Sequence, residues 1–541
     1  MKILGIHDGH NASACLMVNG KTEYLIQEER VACEKNRSGF PALAIDLILK
    51  KSGLNFNEID CIGMNGTYMP APTNRQETLD YYNSLLKGGT LFNSSLIKNR
   101  LKSVPFIAGP YEKGNKQRRQ QKLASLGVDS SKVNFIDHHT LHAYTAYCGN
   151  GDFKNDVLVL TNDGAGDRLC ATVNVFRNGQ MERIASVHEN HSIGILYAVF
   201  TYLTGMVPLE HEYKIMGMAP YAHKSGSQKV SDEFWEMFEF SEDGLTWEFK
   251  KGFSVFGSME YFKDFMFLKR FDYLMAGLQY FTEQFLVHWV RACIKKTGIK
   301  KIALAGGTFM NVKADKLIME MEEVEKVFVF PSCGDESNAL GACYYLEAKH
   351  NGFKSIQKLD DVYFGISFTN EDVKKSYEKY SFKNTYTIKY HDDIEHEIAK
   401  ILASNNVVSR FKGKEEFGAR SLGNRAIIAN PNHPDVIKEI NEMIKNRDFW
   451  MPFACSILDS DFDKYVISEG KNDPYYMIMT FDTKPAADEI KGGIHPYDRT
   501  VRPQIVTQKH NASYWNLINE FKKITGIGGI LNTSLNLSKV R

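Results

Sequence analysis

A weak internal repeat restricts the fold of this chain more than any other feature. Near the start, an apolar stretch at residues 3–6 runs into Asp8-Gly9, a second follows at 12–18, Asn19-Gly20 turns the chain, and a third runs over 22–27. The same order recurs further on: 157–160, Asp163-Gly164, 170–176, Asn178-Gly179 and 181–187. Asn-Gly between alternating apolar runs is a strong hairpin signal, because both residues tolerate the positive φ of a type I′ turn. Helix-like pattern follows each set, over 41–51 and 193–203. Two copies of strand, loop, hairpin and helix predict an α/β protein whose amino-terminal part is a pair of similar lobes. Two unrelated hairpins with ordinary Asp-Gly turns would give the same local signals.

The doubled arrangement resembles the actin, sugar-kinase and heat-shock ATPase superfamily. There, two Asp-Gly loops face each other across a cleft and hold phosphates and a metal. Glycine lets backbone N–H groups approach a phosphate, and a nearby carboxylate binds the cation. A helix predicted at 273–296, a strand at 302–304 ending in Ala305-Gly306-Gly307, and a strand at 327–330 leading through Cys333-Gly334-Asp335 into a helix at 336–349 continue the α/β pattern. Such passages put loop backbone at the carboxyl ends of strands, where α/β clefts form. The expected division is an actin/hexokinase-like amino-terminal domain at 1–350, a polar linker at 351–360 and a smaller α/β domain at 361–541. In the last, a strand-like stretch at 362–366, a helix at 393–404 and a strand at 407–411 are expected.

Composition narrows the function classes. Of 541 residues, 43% are hydrophobic and 24% charged, which excludes a disordered chain or a disulfide scaffold. Lys and Arg total 66 against 65 Asp and Glu, a formal charge of +1 without the basic excess of a nucleic-acid coat. The nine cysteines contain no C-x-x-C pair, as suits a reducing, cytoplasmic setting. The start lacks the pattern of a signal peptide, so no export is predicted. The uncharged run between His191 and Glu210 is interrupted by Gly194, Gly205 and Pro208 and reads as a buried helix, so no membrane partner is expected.

Two constellations carry chemistry. His138 and His142 lie one helical turn apart, which is ligand spacing for a transition metal. Asp163 and Asp335, each at a strand-end loop, would complete a set suited to Fe(II), Mn(II) or Zn(II). The bland reading is a pair of polar residues at a helix start. The second constellation is basic: Arg410, Lys412, Lys414, Arg420, Arg425, Lys445, Arg447 and Arg502, interleaved with Gly413, Gly418, Gly423, Phe417, Trp450 and Phe453. Guanidinium forks with glycine-exposed amides suit a phosphate-bearing small ligand, although single-stranded nucleic acid favours a similar mixture.

The motifs together resemble the NodU/CmcH-type O-carbamoyltransferases over nearly the whole chain. They are His10-Asn11-Ala12-Ser13-Ala14, Glu28-Glu29-Arg30, His138-His139-Thr140-Leu141-His142-Ala143, Asp163-Gly164-Ala165-Gly166-Asp167, Met216-Gly217-Met218-Ala219-Pro220-Tyr221, Leu304-Ala305-Gly306-Gly307 with Asn311, Gly418-Ala419-Arg420-Ser421-Leu422-Gly423-Asn424-Arg425, and Asn532-Thr533-Ser534. The resemblance implies an actin-like domain related to tRNA threonylcarbamoyl-transfer proteins, joined to one related to threonylcarbamoyl-adenylate synthases. It implies that carbamoyl phosphate and ATP with Mg form a carbamoyl adenylate on Arg420, Lys445, Arg447, Arg502, Asn532 and Ser534. It implies that the adenylate is then held by Gly164, Gly166, Gly306, Gly307 and Asn311. The same resemblance puts an iron-type metal on His138, His142, Asp163 and Asp335, with His10 deprotonating a hydroxylated small-molecule acceptor and Lys35 helping to bind substrate. Acceptor shape is expected in loops over 68–116. Asn11 stands where many relatives carry Asp, Thr308-Phe309-Met310 replaces a more usual triplet, and Leu535 replaces Phe after Asn-Thr-Ser. The family normally continues well beyond this motif, whereas the sequence stops at Arg541, so the expectation for the second domain is either a shortened form or an atypical end. Two alternatives remain at this stage, threonylcarbamoyl transfer to tRNA and a non-transferase ATP-binding module. For the carbamoyltransferase reading, a homodimer is the assembly considered.

Overall fold

The Asn-Gly pairs turn the chain as their chemistry dictates: Asn19 and Gly20 have φ of 50° and 75°, and Asn178 and Gly179 have 53° and 77°. The computed structural model describes residues 1–67, 75–87, 105–381, 386–433, 435–445 and 447–536. The chain divides into two units, Met1–Leu359 and Asp360–Arg541. This corrects the expected linker. Residues 351–359 belong to the first unit, where Ile356 and Leu359 are buried and Gln357 donates its backbone N–H to Gly20 O at 2.9 Å. Two apolar anchors outweigh the polar composition around them.

The first unit holds the repeat. Strands β1 (Lys2–His7), β2 (Ser13–Val18), β3 (Lys21–Gln27), β4 (Cys61–Asn65) and β5 (Val133–Ile136) form a sheet in the order β3-β2-β1-β4-β5. In the second half come β6 (Val157–Gly166), β7 (Leu169–Arg177) and β8 (Gln180–His188), and then a small separate hairpin of β9 (Phe238–Phe240) and β10 (Trp247–Phe249). With β11 (Lys301–Ala305) and β12 (Lys326–Val329) the large strands form a sheet in the order β12-β11-β6-β7-β8. Each sheet pairs its first strand antiparallel to the hairpin partner and parallel to the next crossover strand. The two lobes share one topology, as expected of a duplicated actin/hexokinase-like domain.

The main helices of this unit are α1 (Ala42–Ser52), α2 (Arg75–Lys87), α3 (Pro105–Ala124), α4 (His138–Asn150), α5 (Ile193–Leu203), α6 (Phe271–Thr297) and α7 (Asn338–Asn351). Of the expected acceptor loops, 68–74 and 88–104 lie outside the described residues. The pleat of β1 sends Leu4 and Ile6 into a core with Ile45 and Ile48 of α1. Its other face meets α7, because Gly5 leaves the space: a Cβ there would stand 1.8 Å from Ala339 O. The closing helices are exchanged. The helix α4 follows the first sheet but packs on β6 and β11 of the second, whereas α7 follows the second sheet and packs on β1, β2 and β4 of the first. Gly341 lets the two cross, since a Cβ there would lie 2.5 Å from Leu141 O.

One turn falls elsewhere than expected. β6 does not stop at Asp163-Gly164 but continues to Gly166, and the tight reversal is made by Asp167 and Arg168, with φ of 48° and 69°. The β6–β7 register shifts between Asn162 and Gly166, so Asp163 sits in an irregular segment rather than in a loop.

In the second unit, β13 (Val408–Phe411), β14 (Arg425–Ala429), β15 (Ala454–Leu458), β16 (Gln504–Val506) and β17 (Gly529–Ser534) form a sheet in the order β13-β14-β17-β15-β16. α8 (Ile394–Ala403) precedes the sheet, and α9 (Gln508–Thr525) buries Tyr514, Leu517 and Phe521. Residues 362–366 are not a strand. Their backbone instead runs beside 415–417, with Phe417 N–H on Val362 O at 2.8 Å.

Candidate metal centre and anion site

Asp137 caps α4 by accepting from the Thr140 N–H at 2.8 Å, which fixes the first turns and puts the rings of His138 and His142 on one face. Their Nε2 atoms lie 3.1 Å apart. Asp335, from the loop after β12, brings Oδ1 to 3.4 Å from both, and Asp163 brings Oδ2 to 3.5 Å from His138. One ligand atom from each of the four residues lies within 4.8 Å of every other. Two imidazoles and two carboxylates converging at that spacing fit a divalent transition metal. Burial raises the affinity of Asp335 for a proton, but the imidazoles of His138, His142 and His7 outweigh it and hold its pKa well below the ordinary range. His139 points elsewhere, with Nδ1 2.8 Å from Thr161 Oγ1.

Two of the glycines expected to hold nucleotide, Gly166 and Gly307, also touch the residues of this centre. A Cβ on Gly166 would stand 2.2 Å from His138 Cδ2. The Gly307 N–H donates to Asp163 Oδ1 at 2.7 Å, so that amide orients a carboxylate. Gly306, with φ of 107°, comes so close to β6 that a Cβ would lie 2.2 Å from Asn162 O. Asn311 caps the helix Val312–Met319 through Ala314 N–H and exchanges hydrogen bonds with Gln279 at 2.9 and 3.0 Å. Gly164 is half-buried beside Ile195.

Near the first Asp-Gly, sequence reasoning missed Arg119. Its guanidinium grips Asp8 with two bonds of 2.8 and 2.6 Å and also donates to Gly66 O and Asn65 O. Asp8 is therefore neutralised inside the protein, unlike its repeat counterpart Asp163. A separation of 111 residues leaves no local signal for such a pair. His10 is half-buried, and its carbonyl accepts from His7 Nε2 at 2.7 Å. Lys35 is exposed.

In the second unit the basic constellation separates into struts and a cluster. Arg425 spends its guanidinium on backbone carbonyls of Lys412, Gly413, Asn424 and Ile366 and stacks on Phe411. Arg410 donates to Ser513 Oγ at 2.6 Å. Lys445 is tied to the end of β17, on Ser534 O at 2.5 Å and Asn536 O at 2.9 Å. Asn532 donates to Ser421 O and Ser456 Oγ, both at 3.0 Å. Arg502, Arg420 and Arg447 stand together. Burial, and then the charges of Arg420 and Arg447, press the Arg502 pKa well below the usual guanidinium range. By accessible surface all three are half-buried, and Arg447 also donates to Thr533 Oγ1 at 3.2 Å; guanidinium groups gathered in this way suit a multivalent anion. The buried carboxylate of Glu416 holds the loop that carries Arg420, accepting from the N–H groups of Leu422, Asn424 and Arg425 at 2.7, 3.3 and 3.2 Å.

Comparison with known proteins agrees with this division. The family description "Carbamoyltransferase N-terminus" matches residues 2–344, and "Carbamoyltransferase C-terminus" matches 399–540. The chain is similar to Nodulation protein NolNO of Sinorhizobium fredii, 27% identical over 97% of this chain and 74% of the relative. It is also similar to Nodulation protein NolO of Bradyrhizobium diazoefficiens, 29% identical over 74% of this chain and 73% of the relative. Among solved structures, the ROK hexokinase of Thermus thermophilus overlaps 64% of this chain and 99% of its own with a TM-score of 0.31 at 13% identity. No helix among the described residues is long and apolar enough to cross a membrane. With both parts of the family pattern matched in order, and the first alone spanning more than half of the sequence, the chain belongs to the carbamoyltransferase family and is a carbamoyltransferase.

Proposed function

We propose that this enzyme moves a carbamoyl group from carbamoyl phosphate to a hydroxyl of a small-molecule metabolite by way of a carbamoyl adenylate made with ATP and Mg. The observation that carries the two-step reading is the cluster of Arg420, Arg447 and Arg502 in the second unit. A transferase working at the metal centre alone has no need of such an anion-seeking site. The atoms balance as follows. Water releases phosphate from carbamoyl phosphate, a carbamate oxygen attacks the α-phosphorus of ATP and pyrophosphate leaves, then the acceptor oxygen attacks the carbamoyl carbon and AMP leaves. Passing through the adenylate gives each of the three displacements a good leaving group.

In this reading Arg420, Arg447 and Arg502 receive the phosphates, while Lys445, Asn532 and Ser534 shape the carboxyl end of β17 beside them. His138, His142, Asp163 and Asp335 would hold Fe(II) or another divalent transition metal, which supplies a Lewis acid for the carbonyl oxygen. His10 takes the proton from the acceptor hydroxyl, Lys35 helps to bind substrate, and the backbone around Gly164 and Gly306 borders the adenylate.

The test is to incubate the protein with carbamoyl phosphate, ATP and a panel of hydroxylated metabolites. Mass spectrometry should find an acceptor that gains one carbamoyl group, with AMP and pyrophosphate formed in step. Transfer that proceeds at full rate without ATP would refute the adenylate. His142→Ala should abolish transfer and strip the bound metal, and unchanged metal stoichiometry in that variant would refute the centre.

A further inference from the structure

Asn311, expected to hold nucleotide, has its amide fixed by a residue on a helix that no motif marks. It caps the helix Val312–Met319 by accepting from the Ala314 N–H at 3.2 Å. A backbone N–H only donates, so the side-chain atom facing it is Oδ1. Gln279, buried in α6, exchanges two hydrogen bonds with this amide. Its Nε2 donates to Asn311 Oδ1 at 2.9 Å, and Asn311 Nδ2 donates to Gln279 Oε1 at 3.0 Å. The orientation of Gln279 is set independently, because its Nε2 also donates to Glu283 Oε1 at 2.8 Å and a carboxylate oxygen accepts. Tyr197 of α5 completes the set by donating its hydroxyl to Gln279 Oε1 at 2.8 Å.

These bonds decide what Asn311 has left to offer. Both hydrogens of Gln279 Nε2 are engaged, by Glu283 and Asn311. Gln279 Oε1 accepts twice, from Tyr197 and Asn311. Asn311 Oδ1 also accepts twice, from Ala314 and Gln279. What remains is the second hydrogen of Asn311 Nδ2, which none of these bonds uses, on a side chain that is only half-buried. Turning the Asn311 amide over would set oxygen against Gln279 Oε1 and nitrogen against both Gln279 Nε2 and the Ala314 N–H, so three bonds would be lost together. Without Gln279, the same turn would forfeit only the bond to Ala314, and Asn311 could show a ligand either its oxygen or its nitrogen.

We propose that Gln279 is a positioning residue that locks the Asn311 amide, so that Asn311 offers the bound nucleotide a hydrogen-bond donor and never an acceptor. The ligand atom at that point is then itself an acceptor: an oxygen of the phosphate or ribose, or a ring nitrogen of the base. Discrimination of this kind is steep, because a wrong partner leaves desolvated polar groups unpaired. The inference rests on the reading in which the passage from Gly306 to Asn311 borders the adenylate.

The test uses AMP, the nucleotide released in the proposed transfer, titrated calorimetrically into the full chain. Every protein carries Arg502→Met, so that the cluster in the second unit does not contribute a second site. Asn311→Ala should weaken AMP by about tenfold, the worth of one hydrogen bond. Gln279→Met keeps the bulk without the polar atoms, and Gln279→Glu sets an oxygen against Asn311 Oδ1 and Glu283; each should weaken AMP to a similar extent. In the Asn311→Ala background neither should weaken it further, because a residue that acts only through Asn311 has nothing left to act on. Parental affinity in a folded Gln279 variant, additive losses in the doubly substituted proteins, or loss of the fold in both Gln279 variants overturns the proposal. If the Arg502→Met chain binds no AMP, or Asn311→Ala binds it as tightly, the nucleotide reading itself fails and the proposal falls with it.

Discussion

Gly166 is pressed against His138 so closely that a Cβ on the glycine would stand 2.2 Å from Cδ2 of the ring. The contact is with the flat of a buried imidazole, not with a flexible tip, so the ring must move if a methyl group is added. Gly166→Ala is expected to cost about 1–3 kcal/mol of stability, the usual price of overpacking, and to reduce the metal content of purified protein. Denaturant titration with elemental analysis checks both. Full metal occupancy with parental stability would show that the ring has room to spare.

The Arg420, Arg447 and Arg502 cluster carries repulsion that an anion should relieve. Inorganic phosphate or pyrophosphate should raise the thermal midpoint, with a gain of about 2.7 kcal/mol when the anion is at a hundred times its Kd. Arg502→Met should unfold at a higher temperature than the parent in anion-free buffer yet respond little to phosphate. It should also lose carbamoyl-phosphate-dependent release of pyrophosphate from ATP. A scanning fluorimetry series decides the first part and a pyrophosphate assay the second.

Asp315 lies on the helix Val312–Met319 fully buried, and neither carboxyl oxygen has a hydrogen-bond partner. Burial holds its pKa well above the ordinary 3.8. A raised acid binds its proton more tightly in the folded than in the unfolded chain. Its contribution to stability is therefore whole below the unfolded value and is lost as pH rises through the folded one, at a limiting slope of about 1.4 kcal/mol per pH unit. Asp315→Asn should flatten that decline. A pH series of unfolding free energies for the pair would show parallel curves if the side chain were ionised in the native protein.

Replacing His10 with Asn keeps some hydrogen-bonding capacity and removes the basicity. If His10 is the base, transfer should slow by at least ~100-fold while pyrophosphate release from ATP is retained. Loss of both activities in equal measure would point to one composite site instead of two.

What could be read in advance follows the range of the forces involved. Hairpin turns at Asn19-Gly20 and Asn178-Gly179 depend on local φ preferences, and both form as expected. The i, i+4 spacing of His138 and His142 needs only one helix, and the structure brings them together with Asp163 and Asp335. Arg119 on Asp8 and Asn65 between His7 and His138 depend on which strand ends become neighbours, which no local pattern encodes. In the second unit the sequence offered many basic residues of equal appearance. Only tertiary packing separates Arg425, consumed by carbonyls, from Arg502, which feels the charges of Arg420 and Arg447. Gly166 and Gly307 were legible as necessary glycines, and the structure adds a contact that no local pattern encodes: one clears an imidazole, and the other lends its amide to a carboxylate.

The exchange of α4 and α7 sets a timetable for biosynthesis. The face of β1 at Gly5 is closed by Ala339, so this strand waits for nearly the whole first unit before its cover is translated. Until then the nascent chain exposes one side of an apolar sheet, the state in which chaperones find their clients. The ligand set is subject to the same delay, because His138 and His142 emerge long before Asp335. A metal held by this proposed set could enter only after the two halves have clasped each other, so a loaded centre would record that the unit was finished.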